Sequence, residues 1–334
     1  MRGTLQTAYD APDVYAGVAL LVQGHVPTFP LEAAVVRVSL ALVIVALLAG
    51  CTLPGPSAAG QSTTLRVVTS IGPIADLVRN VGGDRVEVLA LVPPGGEPED
   101  YDPTPADAAA VGKARVFFAN GLGLEAYLAN LVESAGNDQL EVVTLSDGLP
   151  TLAGFGQGGQ AGGNPHLWLD VQNAASYVEV IQKTLDRVDP ANAATFDANA
   201  AAYKERLKQL DAYIQQQASS LPSERRVLVT THDAYPYFAK RYGFSYLAIV
   251  SANPDSDPSA REYADLLKTV KEQRVKSVFG EAGFSERTIA QLAADTGATF
   301  VGDLYTDTLS AQSPANSYVG AMEYNADTIA RALK

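Results

Sequence analysis

Residues 190–220 read PANAATFDANAAAYKERLKQLDAYIQQQASS, and this stretch decides the fold. It contains no strand pattern, and its apolar side chains recur at spacings of 4, 3 and 4, at Tyr203, Leu207, Leu210 and Ile214. Such spacing predicts one apolar stripe along a helix of about eight turns. Asp189 and Pro190 are typical of a capping residue followed by a first-turn proline, so we expect the helix to begin there.

Short β-branched runs alternate with amphipathic stretches on both sides of this helix. The predicted strands are Leu65–Ser70, Val86–Val92, Ala114–Asn120 and Glu141–Leu145 before it, and Arg226–Thr231, Ser245–Val250, Val275–Gly280 and Thr299–Leu304 after it. Strand–helix alternation favours parallel sheets that are covered on both faces. We therefore expect an α/β protein with two lobes, 65–189 and 221–334, each with a parallel central sheet, joined by one long rigid α-helix over 190–220. The alternative is that this helix is an ordinary helix of one domain.

The composition excludes several classes of function. The chain has 334 residues, of which 47% are apolar, enough for about two domains with a buried core. Its 24 Lys and Arg against 37 Asp and Glu give a formal charge of -13, which argues against nucleic acid as a partner. One Cys and three His exclude thiolate clusters and histidine-rich metal sites.

The N-terminal segment resembles an export signal followed by a tether. Val38–Gly50 is an uncharged run of 13 residues, too short to span a membrane but suited to a signal-peptide core. The sequence LAGC ending at Cys51 resembles a bacterial lipobox, in which the cysteine is lipidated and becomes the mature N-terminus. We expect a signal peptide over 1–50, with 1–36 a mis-assigned start, and a flexible tether over 51–64. The alternative is a buried thiol beside a core helix.

Titratable side chains stand where several predicted strands end. His232 and Asp307 each follow a strand, Glu281 ends one, and His166 follows the uncharged glycine-rich loop 154–163. The carboxyl ends of parallel strands form the ligand crevice of open α/β sheets. A lone histidine there is more often structural than a ligand, but these are the only two histidines after the predicted signal peptide.

An acidic, proline-rich loop adds carboxylates to this set. Pro93–Thr104 reads PPGGEPEDYDPT and carries Glu97, Glu99, Asp100 and Asp102. Each acid taken singly fits a solvated or helix-capping role. If they converge with the histidines, they supply nitrogen and oxygen donors without sulfur, which suits divalent metals of intermediate to hard character.

Several motifs in order identify a family. They are Gly96–Asp107, Asn120–Glu125, Pro165–Asp170, Thr231–Phe238 and Tyr305–Leu309. Together they resemble the cluster A-I metal-binding proteins, the solute-binding subunits of manganese and zinc ABC transporters that include the pneumococcal surface adhesin and the treponemal TroA protein. The resemblance runs from about residue 65 to 334 and implies two α/β lobes, one long connecting helix and a metal ion held between the lobes.

The resemblance also implies four metal ligands, one from each of four loops. His166, His232 and Asp307 match the second, third and fourth ligands. The first position departs from the family pattern, because Glu99 stands where the family has a histidine after proline. A loop shifted by one residue would present Asp100 instead, and we rank Glu99 first.

The implied ligand set favours manganese. Two neutral imidazoles and two ionised carboxylates would balance the charge of a dication, so the site could be buried at low cost. Bidentate carboxylates would offer up to six donor atoms, which suits Mn²⁺ better than the tetrahedral four of Zn²⁺. Zn²⁺ is the second choice, and the sequence does not separate either from Fe²⁺.

The resemblance implies a transport function rather than an enzyme. We expect a monomeric, extracytoplasmic receptor that is anchored to the cell membrane by the lipid on Cys51, captures Mn²⁺ and delivers it to an ABC transporter permease. One alternative is a metal-dependent hydrolase whose general base is Glu281 or an acid of residues 97–102 that does not bind the metal. Glu281 and Asp100 are also the alternative or supporting residues of the metal site. A surface adhesin with a structural metal is the other alternative.

Overall fold

The two arms of the chain on either side of the long helix each build one parallel sheet. The computed structural model describes residues 64–153, 163–249 and 258–334. The strands are β1 (Leu65–Thr69), β2 (Val86–Ala90), β3 (Val116–Ala119), β4 (Glu141–Thr144), β5 (Val227–Thr230), β6 (Ser245–Ala248), β7 (Ser277–Glu281) and β8 (Thr299–Leu304). The eight predicted strands are confirmed, with each end within two residues of its predicted position.

At least one helix lies between each strand and the next along the chain. They are α1 (Gly72–Gly82), α2 (Pro105–Val111), α3 (Leu128–Ala135), α4 (Val171–Val188), α5 (Ala193–Ser219), α6 (Pro236–Tyr242), α7 (Ala260–Glu272), α8 (Arg287–Thr296) and α9 (Tyr318–Leu333). Within the described ranges, none of the helices combines the length and apolar character needed to cross a membrane. Cys51, the predicted signal peptide and almost all of the predicted tether lie outside the described residues, as does 154–162 of the glycine-rich loop.

Both sheets have the same topology. The strand order is β2-β1-β3-β4 in the first sheet and β6-β5-β7-β8 in the second, and every pair is parallel. In each sheet the second strand along the chain pairs with one side of the first strand, and the third strand pairs with its other side. This creates a switch point between β1 and β3 and another between β5 and β7, where the loops at the carboxyl ends diverge and leave a crevice.

Helix α5 is the long helix that the periodicity predicts. Its buried side chains form one stripe: Phe196, Ala200, Tyr203, Leu207, Leu210, Ile214 and Ala218. The predicted start was wrong by three residues, because Pro190–Asn192 form a 3₁₀ turn before the α-helix begins. The carboxylate of Asp189 accepts a hydrogen bond from the side chain of Asn192 at 2.6 Å and does not cap the helix.

Side chains on α5 reach helices of both lobes. The hydroxyl of Tyr203 lies 3.4 Å from the carboxylate of Asp76 on α1, and the hydroxyl of Tyr213 lies 2.5 Å from that of Asp327 on α9. One apolar cluster of buried residues also runs through α1, α5 and α9. The helix is therefore shared by both lobes, as expected of a connector, while the lobe boundaries at 189/190 and 220/221 stay a prediction.

Candidate metal centre

Four loops at the carboxyl ends of strands bring the candidate ligands together. Glu99 lies in the loop after β2, His166 precedes α4, His232 follows β5 and Asp307 follows β8. The first two belong to the first lobe and the others to the second. Because parallel strands of one sheet end at the same edge, the two sheets present these side chains to a common cleft.

The donor atoms of these four side chains lie within a few ångströms of one another. Nε2 of His166 is 3.2 Å from Nε2 of His232 and 3.4 Å from a carboxylate oxygen of Asp307. The other oxygen of Asp307 is 3.3 Å from Nε2 of His232. Glu99 completes the group, with one oxygen 3.6 Å from Nε2 of His166. The structure therefore brings these four distant residues together, while their role as metal ligands stays a prediction.

Several buried oxygens in this cluster accept no hydrogen bond from the described residues. They include both carboxylate oxygens of Asp307 and Oε2 of Glu99. A buried carboxylate oxygen without a hydrogen-bond donor is costly unless a cation neutralises it. Two imidazole nitrogens and these oxygens therefore form a donor set that suits a divalent metal ion.

The ring of His166 is oriented by Asn164. The amide oxygen of Asn164 accepts a hydrogen bond from the backbone N–H of His166 at 3.0 Å and lies 3.0 Å from Nδ1 of the same residue. With its proton on Nδ1, the imidazole directs the lone pair of Nε2 into the cluster.

Glu281 and Phe284 hold the ring of His232. One oxygen of Glu281 accepts a hydrogen bond from the backbone N–H of His232 at 3.0 Å, and the other lies 3.1 Å from Nδ1. The ring of Phe284 stacks on His232 with centroids 4.2 Å apart. The pairing of β7 with β8 is irregular between Phe279 and Glu281, a local distortion that can re-aim a side chain at a site.

Burial and charge give the two histidines opposite pKa shifts. Burial lowers the pKa of His166 to about 3, although the charge of Asp307 opposes the shift. Burial also acts to lower the pKa of His232, but the carboxylates of Glu281 and Asp307 outweigh it and raise that pKa well above its usual value. His232 is therefore the histidine that holds a proton in the metal-free protein.

The two carboxyl groups also differ. Burial and the nearby charge of Asp307 raise the pKa of Glu99 to about 8. Burial also acts to raise the pKa of Asp307, but the neighbouring His166 and His232 outweigh burial and lower this pKa. Near neutral pH, the metal-free cluster therefore holds protons on Glu99 and His232, while Asp307 is ionised.

The two remaining candidate residues, Asp100 and Glu281, do not present their side chains to the cluster as the other four do. Asp100 is exposed, whereas the side chain of its neighbour Glu99 is 10% exposed and contacts His166. Glu281 is completely buried against His232 rather than free in the cleft.

Sequence reasoning missed the residues that fix the ligand loops. The indole of Trp168 donates a hydrogen bond to the carbonyl of Thr306 at 3.0 Å, which joins the segments that carry His166 and Asp307. Asn120 donates to the carbonyl of Pro165 at 2.8 Å. Trp168 is the single tryptophan of the chain and stands two residues after a candidate ligand, which was a usable signal.

Fold and site together define a class of metal-binding protein, in which two α/β lobes share one long helix and both lobes supply histidine and carboxylate groups to the cleft. Residues 67–332 match the family described as the periplasmic component A of the zinc-uptake complex, ZnuA, and the chain belongs to this family. The family and fold class predicted from the sequence are confirmed.

Curated relatives and solved structures agree with this assignment. The chain is 35% identical over 294 residues to the manganese-binding lipoprotein MntA of Halalkalibacterium halodurans, a match that covers 87% of this chain and 96% of MntA. A Mn-bound periplasmic metal-binding protein from Candidatus Liberibacter asiaticus superposes with a TM-score of 0.74 at 27% identity, covering 81% of this chain and 100% of that structure. The periplasmic zinc-binding protein TroA of Treponema pallidum gives a TM-score of 0.74 at 31% identity, with 81% and 99% of the two chains covered.

Proposed function

We propose that this protein is the solute-binding component of a metal ABC transporter, which captures Mn²⁺ outside the cytoplasm and delivers it to the permease. The observation that carries the proposal is the convergence of Glu99, His166, His232 and Asp307 on one buried point between the lobes. Membership of the ZnuA family and similarity to a manganese-binding lipoprotein support it.

In this proposal, the four side chains bind the ion directly. His166 and His232 donate Nε2, while Glu99 and Asp307 supply oxygens and together cancel the charge of a dication. Asn164 and Glu281 place an oxygen 3.0 Å from Nδ1 of His166 and 3.1 Å from Nδ1 of His232, respectively, so that Nε2 of each ring stays available to the metal.

The donor set favours Mn²⁺ over Zn²⁺. Two nitrogens and up to four carboxylate oxygens approach the six donors that Mn²⁺ accepts, whereas Zn²⁺ prefers four in a tetrahedron. The intrinsic affinity of nitrogen and oxygen sites nevertheless ranks Zn²⁺ above Mn²⁺, so we expect Zn²⁺ to compete in vitro. The relatives include a zinc-binding protein as well as manganese-binding ones.

The cellular setting follows from the same family. We propose that a lipid on Cys51 anchors a monomeric receptor to the cell membrane and leaves residues 65–334 on the extracytoplasmic side. The relatives named as lipoproteins support this arrangement. The lipid would contact the membrane, and the permease would be the protein partner.

We do not favour the hydrolase alternative. A general base must reach the water that it activates. Glu281 is instead buried and occupied by the backbone N–H and Nδ1 of His232. We therefore expect metal binding without hydrolysis. The adhesin alternative has no comparable supporting observation.

The test is elemental analysis of protein purified without added metal, followed by a Mn²⁺/Zn²⁺ competition titration. We expect one ion per chain. The double variant H166A/H232A should bind no stoichiometric ion, because it loses both nitrogen donors. One ion per chain retained by the double variant would contradict the proposed ligand set.

A further inference from the structure

The four candidate ligands differ in how firmly the protein holds them. The side chains of His166, His232 and Asp307 are 4%, 3% and 2% exposed, whereas that of Glu99 is 10% exposed. Glu99 also lies in the acidic loop Pro93–Thr104, whose first three residues are exposed. Solvent therefore reaches the cluster most readily on the side of this loop.

The segments of His166 and Asp307 are joined by a buried clasp. The hydrogen bond from the indole of Trp168 to the carbonyl of Thr306 connects them, and Trp168 is completely buried. The hydroxyl of Tyr318 donates to the carbonyl of Trp168 at 2.6 Å. Opening the cleft on this side would expose buried polar groups and a large aromatic side chain, which is costly.

The acidic loop is joined to the other lobe in a different way. The backbone N–H of Gly95 donates a hydrogen bond to the hydroxyl of Thr308 at 2.9 Å, and Thr308 directly follows Asp307. Gly283 lies close to the backbone of Gly95. Its φ is +99°, and a Cβ there would lie 3.0 Å from the carbonyl oxygen of Gly95. Gly95 itself is exposed, so this contact can break without opening the core.

We propose that the Gly95–Thr308 hydrogen bond is the latch of the acidic loop and that Thr308 is a positioning residue that sets the rate of metal release. The latch keeps Glu99 against the other three ligands. When it breaks, Glu99 moves away with its loop, and the ion loses one carboxylate while the clasp of Trp168 holds the remaining ligands in place. This inference rests on the proposed function, since it assigns a role in binding the same ion.

A buried threonine outside the ligand loops provides a matched control for Thr308. T308V replaces the hydroxyl by a methyl group of similar size and removes the acceptor for Gly95. T184V makes the same change at a buried position of α4. T308S keeps a hydroxyl at the latch and serves as the rescue.

The experiment measures the rate at which Mn²⁺-loaded protein gives up its ion to an excess of a fluorescent chelator in a stopped-flow instrument. We expect T308V to release the ion about two- to tenfold faster, as expected for the loss of one hydrogen bond. T184V and T308S should release it close to the wild-type rate. Thermal unfolding of the metal-free variants separates a positioning effect from a general loss of stability, because T308V should unfold within the range of T184V and T308S.

The outcomes are distinct. Equal release rates for T308V and T184V, or release from T308S as fast as from T308V, would overturn the latch. If wild-type protein binds no Mn²⁺ at all, the proposed function fails instead.

Discussion

At the scale of single residues, Glu99 is the proposed ligand that departs from the resemblance to the family. The resemblance implies a histidine at this position, so the proposed site has a carboxylate where a neutral nitrogen donor is expected. Burial of this carboxyl group and the nearby charge of Asp307 raise the pKa of Glu99 to about 8 in the metal-free protein. This arrangement is unfavourable without a metal ion and is relieved by a dication that both acids can share.

Changing Glu99 to His should therefore shift the site toward zinc. E99H removes one negative charge and up to two oxygen donors and adds a third imidazole, which favours the tetrahedral coordination of Zn²⁺. We expect the Zn²⁺/Mn²⁺ competition ratio to rise on the order of tenfold or more. A competition titration with a metal-sensitive dye measures this ratio.

The matched control is D100N, at the exposed neighbour of Glu99. It should leave the ratio unchanged, because its side chain lies at the surface. An unchanged ratio in E99H together with an altered one in D100N would mean that Asp100 is the first ligand.

At the scale of secondary-structure elements, the sequence predicted what depends on local pattern. The β-branched runs and the apolar spacing along α5 each report burial of one segment, so strands and the long helix could be placed from their own residues. The exact ends of these elements could not be predicted from local pattern. A strand ends where its neighbour stops pairing, and a helix begins where a side chain is available to cap it. Asp189 illustrates this, since its carboxylate is occupied by Asn192.

Truncating the apolar stripe of α5 should destabilise the whole protein. Leu207 is completely buried at the middle of the helix. We expect L207A to lower the free energy of unfolding by about 2–5 kcal/mol, because it removes apolar contacts and leaves a cavity. Urea unfolding of the metal-free protein measures the change.

The control is K208A on the exposed side of the same helix, where the lysine side chain is 79% exposed. Its effect should stay within about 0.5 kcal/mol. Similar losses in both variants would contradict the one-sided packing of α5.

At the scale of the whole molecule, the candidate site could be predicted only in part. His232 and Asp307 directly follow strands, and the shared edge of parallel strands is a general rule. His166 lies in the long connection between β4 and α4. The contacts that orient these ligands join loops far apart in sequence, such as Trp168 with Thr306, and depend on how the two lobes pack. No local pattern reports that packing, so these contacts appear only in the folded structure.

The protonation of the assembled cluster predicts how metal binding depends on pH. The raised pKa of Glu99, at about 8, and that of His232 mean that the metal-free protein holds protons at pH 7 that an incoming dication must displace. Lower pH favours the protonated, metal-free form, so the affinity for Mn²⁺ should fall as the pH drops below about 8. The decrease should be about tenfold per pH unit for each proton released.

Calorimetric titration of Mn²⁺ at pH 7, in two buffers with different ionisation enthalpies, counts these protons directly. We expect about one or more protons released per ion. The E99Q variant cannot hold the proton of Glu99, so it should release about one fewer than the wild-type protein even though it binds the metal more weakly. Mn²⁺ binding that releases no protons at pH 7 would contradict this account, because it would require both Glu99 and His232 to be unprotonated before the ion arrives.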